Sequence, residues 1–130
     1  MDVASGTMRS DRPKLLLVED DAAVRRSLQL LLQARGFDVR AYASGHSLLA
    51  DESADSAVGF IADYRMDDLD GLAVLASLRA QGWDGPAILI TAYSTPALVE
   101  QARQAGFLEV IEKPFRHPAL VETVARLLDM

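Results

Sequence analysis

Four short apolar runs in this chain stop on residues that can do polar chemistry. Leu15-Leu16-Leu17-Val18 is followed by Glu19-Asp20-Asp21, Phe60-Ile61-Ala62 by Asp63, Ala87-Ile88-Leu89-Ile90 by Thr91, and Val110-Ile111 by Glu112-Lys113-Pro114. Carboxylates crowded together repel, and a hard divalent cation relieves them. Magnesium prefers octahedral oxygen ligands, keeps several waters, and commonly takes one or two carboxylates plus phosphate oxygens. An ammonium and a hydroxyl beside such a cluster suit a carboxylate that accepts a phosphoryl group, because they offset the charge of the transferring oxygens. This chemistry requires that all four polar ends meet on one edge of the molecule.

Taken singly, each residue has a plainer reading. An acidic pair after a strand often just caps the next helix. Asp63 alone could be a loop acid, Thr91 a structural hydroxyl, and Lys113-Pro114 merely the end of a strand. The weight lies in their order on successive strand ends. Asp21 is expected to cap the following helix or lie in its first turn, which leaves Glu19 and Asp20 for the edge.

The elements that would position these residues follow from periodicity, which switches repeatedly between strand and helix. Lys14 to Val18 is a continuous apolar run, as expected of a strand buried on both faces. Val24, Leu28, Leu31 and Leu32 share one helical face, and Gly36 ends that helix. Phe37 to Tyr42 alternates like a strand, Ser44 to about Glu52 reads as a short helix, and Val58 to Ala62 is the third strand. Asp70 can cap a helix carrying Leu72, Leu75, Ala76 and Leu78, which stops near Gly82. Ala87 to Ile90 is the fourth strand. Thr95-Pro96 is a cap followed by proline at the first helical position, and that helix stops at Gly106. Leu108 to Ile111 is the fifth strand, and Pro118 opens a last helix with Leu120, Val124, Leu127 and Leu128 on one face.

Five βα units with short connections imply an α/β fold: a doubly wound parallel sheet with helices on both faces. In such sheets ligands sit outside the carboxyl ends of the strands, at the switch point in strand order. The expected order is 2-1-3-4-5, flavodoxin-like, which makes strands one and three neighbours and sets Glu19 and Asp20 beside Asp63.

Composition narrows the classes. The chain has 130 residues, half of them hydrophobic, which suits one domain with a full core. Its net charge of −6 disfavours general attraction to nucleic acid or anionic membrane. It has no cysteine, which excludes disulfides, thiol catalysis and cysteine-bound metals. No apolar run approaches the roughly 18 residues of a membrane span. Residues 1–13 lack the apolar stretch of a secretory signal and read as a disordered tail before a domain at 14–130. A cytoplasmic protein is expected.

The chain resembles the receiver domains of two-component response regulators. The pieces that carry the likeness are LLLVEDD (15–21), IADYRM (61–66), Gly71-Leu72, ILITAY (88–93), Ala105-Gly106 and EKPF (112–115), and the resemblance extends over roughly residues 14 to 129. The resemblance implies Asp63 as phosphoacceptor. It implies Mg2+ bound directly by Asp20, with Glu19 helping directly or through water, by Asp63, and by the backbone carbonyl of Arg65. Thr91 would bond the phosphoryl group, Lys113 would pair with it, and the small Ala92 would leave access to it. The Lys113–Pro114 bond would be cis. The partners implied are a histidine kinase or a histidine phosphotransfer protein, then a downstream protein or effector domain. A phosphorylation-dependent homodimer is compatible with this reading. Direct nucleic-acid binding, membrane insertion and turnover of a separate substrate are not expected.

Three departures from the family's pattern bear on function. Asp67 stands where proline is usual, which removes a rigid turn element and adds an acid. Val110 stands where a tyrosine or phenylalanine ring usually changes between outward and inward states; Tyr93 either substitutes for that ring or is a plain loop residue. No output domain follows Met130, so a stand-alone receiver or one whose effector has been cut away is expected. Two rivals remain open. One is an interaction module that keeps the fold without phosphotransfer. The other is a phosphatase or mutase using an aspartyl-phosphate, against which Arg65 stands where a second aspartate would act as acid/base. His46 is expected to be solvated and away from the acidic edge, and Trp83 to cover the core at a helix end.

Overall fold

The computed structural model describes residues 12–113 and 117–128, with backbone only at 117 and 118. Its sheet has five parallel strands in the order β2-β1-β3-β4-β5. The strands are β1 Lys14–Val18, β2 Asp38–Tyr42, β3 Gly59–Asp63, β4 Ala87–Thr91 and β5 Glu109–Glu112. The helices are α1 Ala22–Ala34, α2 Gly45–Leu49, α3 Gly71–Ala80, α4 Pro96–Ala105 and α5 His117–Leu127. The expected α/β fold and strand order are both present.

Side chains alternate across a strand, and the alternation here sorts the apolar residues into two cores. Leu16, Val18, Phe60, Ala62 and Leu89 face Leu48, Leu75, Leu78 and Leu98 of α2, α3 and α4. Leu15, Leu17, Ile61, Ile88 and Ile90 face Leu28, Leu32, Leu120 and Val124 of α1 and α5. The three central strands are therefore apolar on both faces, and only their ends can carry polar groups without cost. Trp83 closes the lower rim of the first core as expected: it is buried, sits edge-on to Phe60, and donates its indole N–H to the Ala57 carbonyl.

Local chemistry sets the helix boundaries. Asp21, Ser44, Asp70 and Thr95 each accept a backbone N–H at the start of a helix, with Pro96 at the first position of α4. Gly106 takes φ 113° and ends α4. The single helix expected over residues 44–52 is in fact broken. Asp51 accepts from the Ser53 N–H and hydroxyl and from the Tyr42 hydroxyl, which ends α2 at Leu49 and starts a 3-10 turn, Glu52–Ser56. Strands three and five lie one residue further along than expected, and β2 starts at Asp38 because the Phe37 N–H bonds Leu32 O at the end of α1. Residues 1–11 of the expected tail and the Lys113–Pro114 bond lie outside the described residues.

One glycine allows α3 to start against the strand that ends in Asp63. A Cβ at Gly71 would stand 2.7 Å from the Asp63 carbonyl oxygen and 2.9 Å from Leu89 Cδ1. Alanine is favoured over glycine inside a helix by up to about 1 kcal/mol, whereas overpacking a rigid core costs about 1–3 kcal/mol. The clash is with backbone, so it should win. Gly71→Ala is expected to lower the unfolding free energy by about 1 kcal/mol or more, read from the urea midpoint. A more stable variant would show that the start of α3 can move off the strand freely.

Candidate functional site

The parallel order carries the ends of β1, β3, β4 and β5 to one edge, and the polar residues singled out from the sequence gather there. Glu19, Asp20 and Asp63 each offer a carboxylate oxygen, all within 4.8 Å of one another. Among the described residues this is the one such group of three. Asp20 is exposed, whereas Glu19 and Asp63 are only 1% and 6% exposed. The difference follows from strand geometry: Glu19 continues β1 and its N–H bonds Tyr42 O, while Asp20 already belongs to the turn into α1. Asp21 is turned away, its carboxylate holding the N–H groups of Ala23 and Val24.

Lys113, one residue past β5, reaches across two strand ends into this cluster. Its Nζ donates to Glu19 Oε1 at 3.0 Å and lies 3.4 Å from Asp63 Oδ1. Its backbone N–H bonds Thr91 O at 2.7 Å, which fixes where the side chain starts. The other oxygen of Glu19 accepts the Asp21 N–H. Burial raises the Glu19 carboxyl above the usual range, although the bond from Lys113 pulls it back; burial likewise raises Asp63, with Lys113 opposing. Burial works against the Lys113 charge, but the bond and charge of Glu19 and the charge of Asp63 outweigh it, so the ammonium is held above its ordinary value.

Thr91 ends β4 beside Asp63, whose register partner is Ile90, and is 3% exposed. Its hydroxyl donates to Tyr93 O at 3.0 Å and accepts the Tyr93 N–H at 3.3 Å, so it is used locally by the turn after β4. Tyr93 itself projects into solvent, 77% exposed. Val110 pairs with Leu89 in register and packs half-buried against the α2–α4 core. Arg65 and Asp67 are exposed in the loop after β3, and Asp67 does not join the three clustered carboxylates.

Two carboxylates of low exposure and one exposed carboxylate, all oxygen donors, fit a hard divalent cation that keeps part of its water shell. The ammonium 3.4 Å from Asp63 puts positive charge on one side of that carboxylate. One tie was not legible in the sequence. His46, expected to be remote from the acidic edge, is exposed but bonded through Nδ1 to Asp68 at 2.8 Å in the loop after β3. No spacing rule links residues 46 and 68; only the packing of α2 against α3 brings them together.

Comparisons with known proteins give the family and the fold. A family model described as the response regulator receiver domain matches residues 15–125. The C4-dicarboxylate transport transcriptional regulatory protein DctD of Rhizobium meliloti is 38% identical over 90% of this chain; the chain spans 25% of that protein's length. Among solved structures, the Vibrio cholerae chemotaxis protein CheY4 superposes with a TM-score of 0.84 at 24% identity, covering 89% of this chain and 98% of that one. The response regulator TrrA of Thermotoga maritima, in complex with Mg2+–BeF, gives a TM-score of 0.77 at 27% identity, covering 88% and 98%. The chain belongs to the response regulator receiver domain family. Among its described residues no helix is long and apolar enough to cross a membrane.

The raised carboxyl of Asp63 makes a prediction about stability. A folded-state pKa above the unfolded one means that the native state holds the proton more tightly. Stability is then lost as pH rises from the unfolded value through the folded one, and the loss is complete above it. Without divalent metal at pH 7.5, Asp63→Asn is therefore expected to be more stable than the parent. The gain should shrink as pH falls toward about 4. Thermal unfolding across pH measures this; a variant less stable at neutral pH would mean that the pairing with Lys113 outweighs burial.

Proposed function

We propose that Asp63 is the phosphoacceptor of a two-component phosphorelay, loaded by a histidine kinase or a histidine phosphotransfer protein. The observation that carries this reading is the ammonium of Lys113 set between Glu19 and Asp63 on an edge of converging carboxylates. A carboxylate oxygen of Asp63 attacks the phosphorus of a phosphohistidine in line. The O–P bond forms as the P–N bond breaks, and the electron pair returns to the imidazole nitrogen. Lys113 pairs with the charge of the incoming group, which brings about −1.5 to −2. Asp20, Glu19, Asp63 and the Arg65 carbonyl are the residues that would hold Mg2+. When bound, the ion neutralises the carboxylates and the transferring oxygens. TrrA, described with Mg2+–BeF, supports this assignment by its similarity.

Thr91 is the residue placed to report the new charge. To bond a phosphoryl oxygen its hydroxyl gives up the Tyr93 carbonyl, so the turn after β4 and the start of α4 move with it. Helix α4 buries only Leu98 and Ala102, which suits an element that repacks at low cost. Val110 has no ring to swing, and its branched side chain has restricted rotamers. The output is therefore carried by backbone and helix movement, presented to a downstream protein or effector domain in the cytoplasm. The protein acts as a signalling domain that assists only its own phosphorylation and dephosphorylation.

The expected behaviour is uptake of one phosphoryl group from acetyl phosphate in the presence of magnesium chloride, lost in Asp63→Asn. Intact-mass measurement decides it, and equal labelling of the variant would remove the assignment. For the metal, Asp20→Asn should weaken magnesium binding more than Asp21→Asn, because the Asp21 carboxylate is committed to capping α1. NMR titration gives the order, and equal losses would mean that Asp20 does not face the ion.

A further inference from the structure

We propose that Asp68 is a positioning residue: it holds the loop after β3 in the shape that presents the Arg65 carbonyl to the metal beside Asp63. The inference rests on the phosphoacceptor reading above and assigns a further residue to it.

Residues 64–70 form a loop whose two ends are tied by backbone. The Tyr64 N–H bonds Ile90 O at 2.8 Å, and the Gly71 N–H bonds Tyr64 O at 3.0 Å. Arg65 lies between these ties. No proline stands between Tyr64 and Asp70, so nothing in the covalent structure of the loop fixes its φ angles. Met66 and Leu69 pack against the α2–α4 core, and polar contacts to α2 add to that.

Asp68 supplies the polar part of that order. One carboxylate oxygen accepts the Gly45 N–H at 3.3 Å, and the other takes the His46 N–H at 2.9 Å and His46 Nδ1 at 2.8 Å. All three donors come from the first residues of α2, a separate element 22 positions away in sequence. The His46 N–H leads in holding the Asp68 carboxyl down at about 2, so the anchor stays ionised throughout the neutral range. Ionised acceptors make the stronger hydrogen bonds. The neighbouring contact is apolar and tight. A Cβ at position 45 would stand 3.2 Å from Leu69 Cβ and 2.7 Å from Val74 Cγ2. Glycine at 45 is thus what lets α2 approach the loop closely enough for its N–H groups to reach Asp68. His46 adds a donor that a generic helix start would lack.

Two readouts on the full chain test the role: amide hydrogen exchange of residues 64–70 in metal-free protein, and affinity for magnesium chloride by NMR. In Asp68→Ala the loop amides should exchange faster and magnesium affinity should fall by about tenfold, the lower end of what outer-shell partners of metal ligands contribute. His46→Ala should give a smaller effect of the same kind, because both backbone donors survive. Asp68→Asn should recover part of the loss through its amide oxygen. A merely structural role would lower the melting temperature of Asp68→Ala while leaving magnesium affinity unchanged well below melting, and that result overturns the proposal. So does unchanged exchange in the loop. If Asp68→Ala does not fold, the same two measurements on Asp68→Asn and His46→Ala decide. A parent chain that neither binds magnesium nor takes a phosphoryl group would instead sink the phosphoacceptor reading itself, a result distinct from parent-like behaviour of the variants.

Discussion

Two carboxylates of very low exposure, Glu19 and Asp63, sit side by side at the end of a parallel sheet, and the ammonium of Lys113 is what makes that arrangement tolerable. An unpaired charge out of water is costly, and two of like sign are worse. The single cation between them meets both, yet burial still leaves both carboxyls raised. The edge is thus compensated only in part. That residual cost is why the edge fits a divalent cation, whose positive charge would offset it. The rest of the molecule can be understood as what holds these three side chains within reach of one another.

The sheet does most of this through registry. Glu19 and Asp63 end adjacent strands, and Lys113 is fixed by its backbone bond to Thr91, the end of the strand between. The strands are apolar on both faces and packed between two helical layers, so they cannot slide without exposing a core. Close approaches complete the frame. Gly71 lets α3 begin against the Asp63 carbonyl, and Gly45 lets α2 begin against the loop after β3. In both places the absence of a side chain is the useful property, because a neighbouring atom lies 2.7 Å from where a Cβ would be.

Thr91 is fixed in the sheet by its backbone, while its hydroxyl is spent on a turn of its own loop. Such a bond can be exchanged for another acceptor at little net cost, because one hydrogen bond replaces another. Tyr93 lies exposed and Val110 lies half-buried against the α2–α4 core. The two positions that could have carried an aromatic signal between β4 and β5 are thus occupied by a solvated ring and an anchored aliphatic. The turn after β4, which the Thr91 hydroxyl bonds, leads directly into α4.

The order of elements, the parallel sheet, the acidic edge and the helix caps were legible in the sequence because each depends on neighbours along the chain. Periodicity marks strands and helices, Asp21, Asp70 and Thr95 cap the turns that follow them, and apolar runs end on polar residues where strands leave the core. The break between α2 and the 3-10 turn was not legible, because Asp51 is held in part by Tyr42 from another element. Nor was the tie of Asp68 to His46, or the clash that reserves position 71 for glycine. By itself the sequence determined which residues end the strands and hence which chemistry the edge carries. Only the tertiary structure decided that Lys113 bonds Glu19 and lies beside Asp63, that Glu19 is enclosed while Asp20 faces solvent, and that Asp68 bonds the start of α2. Those outcomes depend on distances between elements remote in sequence, which packing sets and local pattern does not contain.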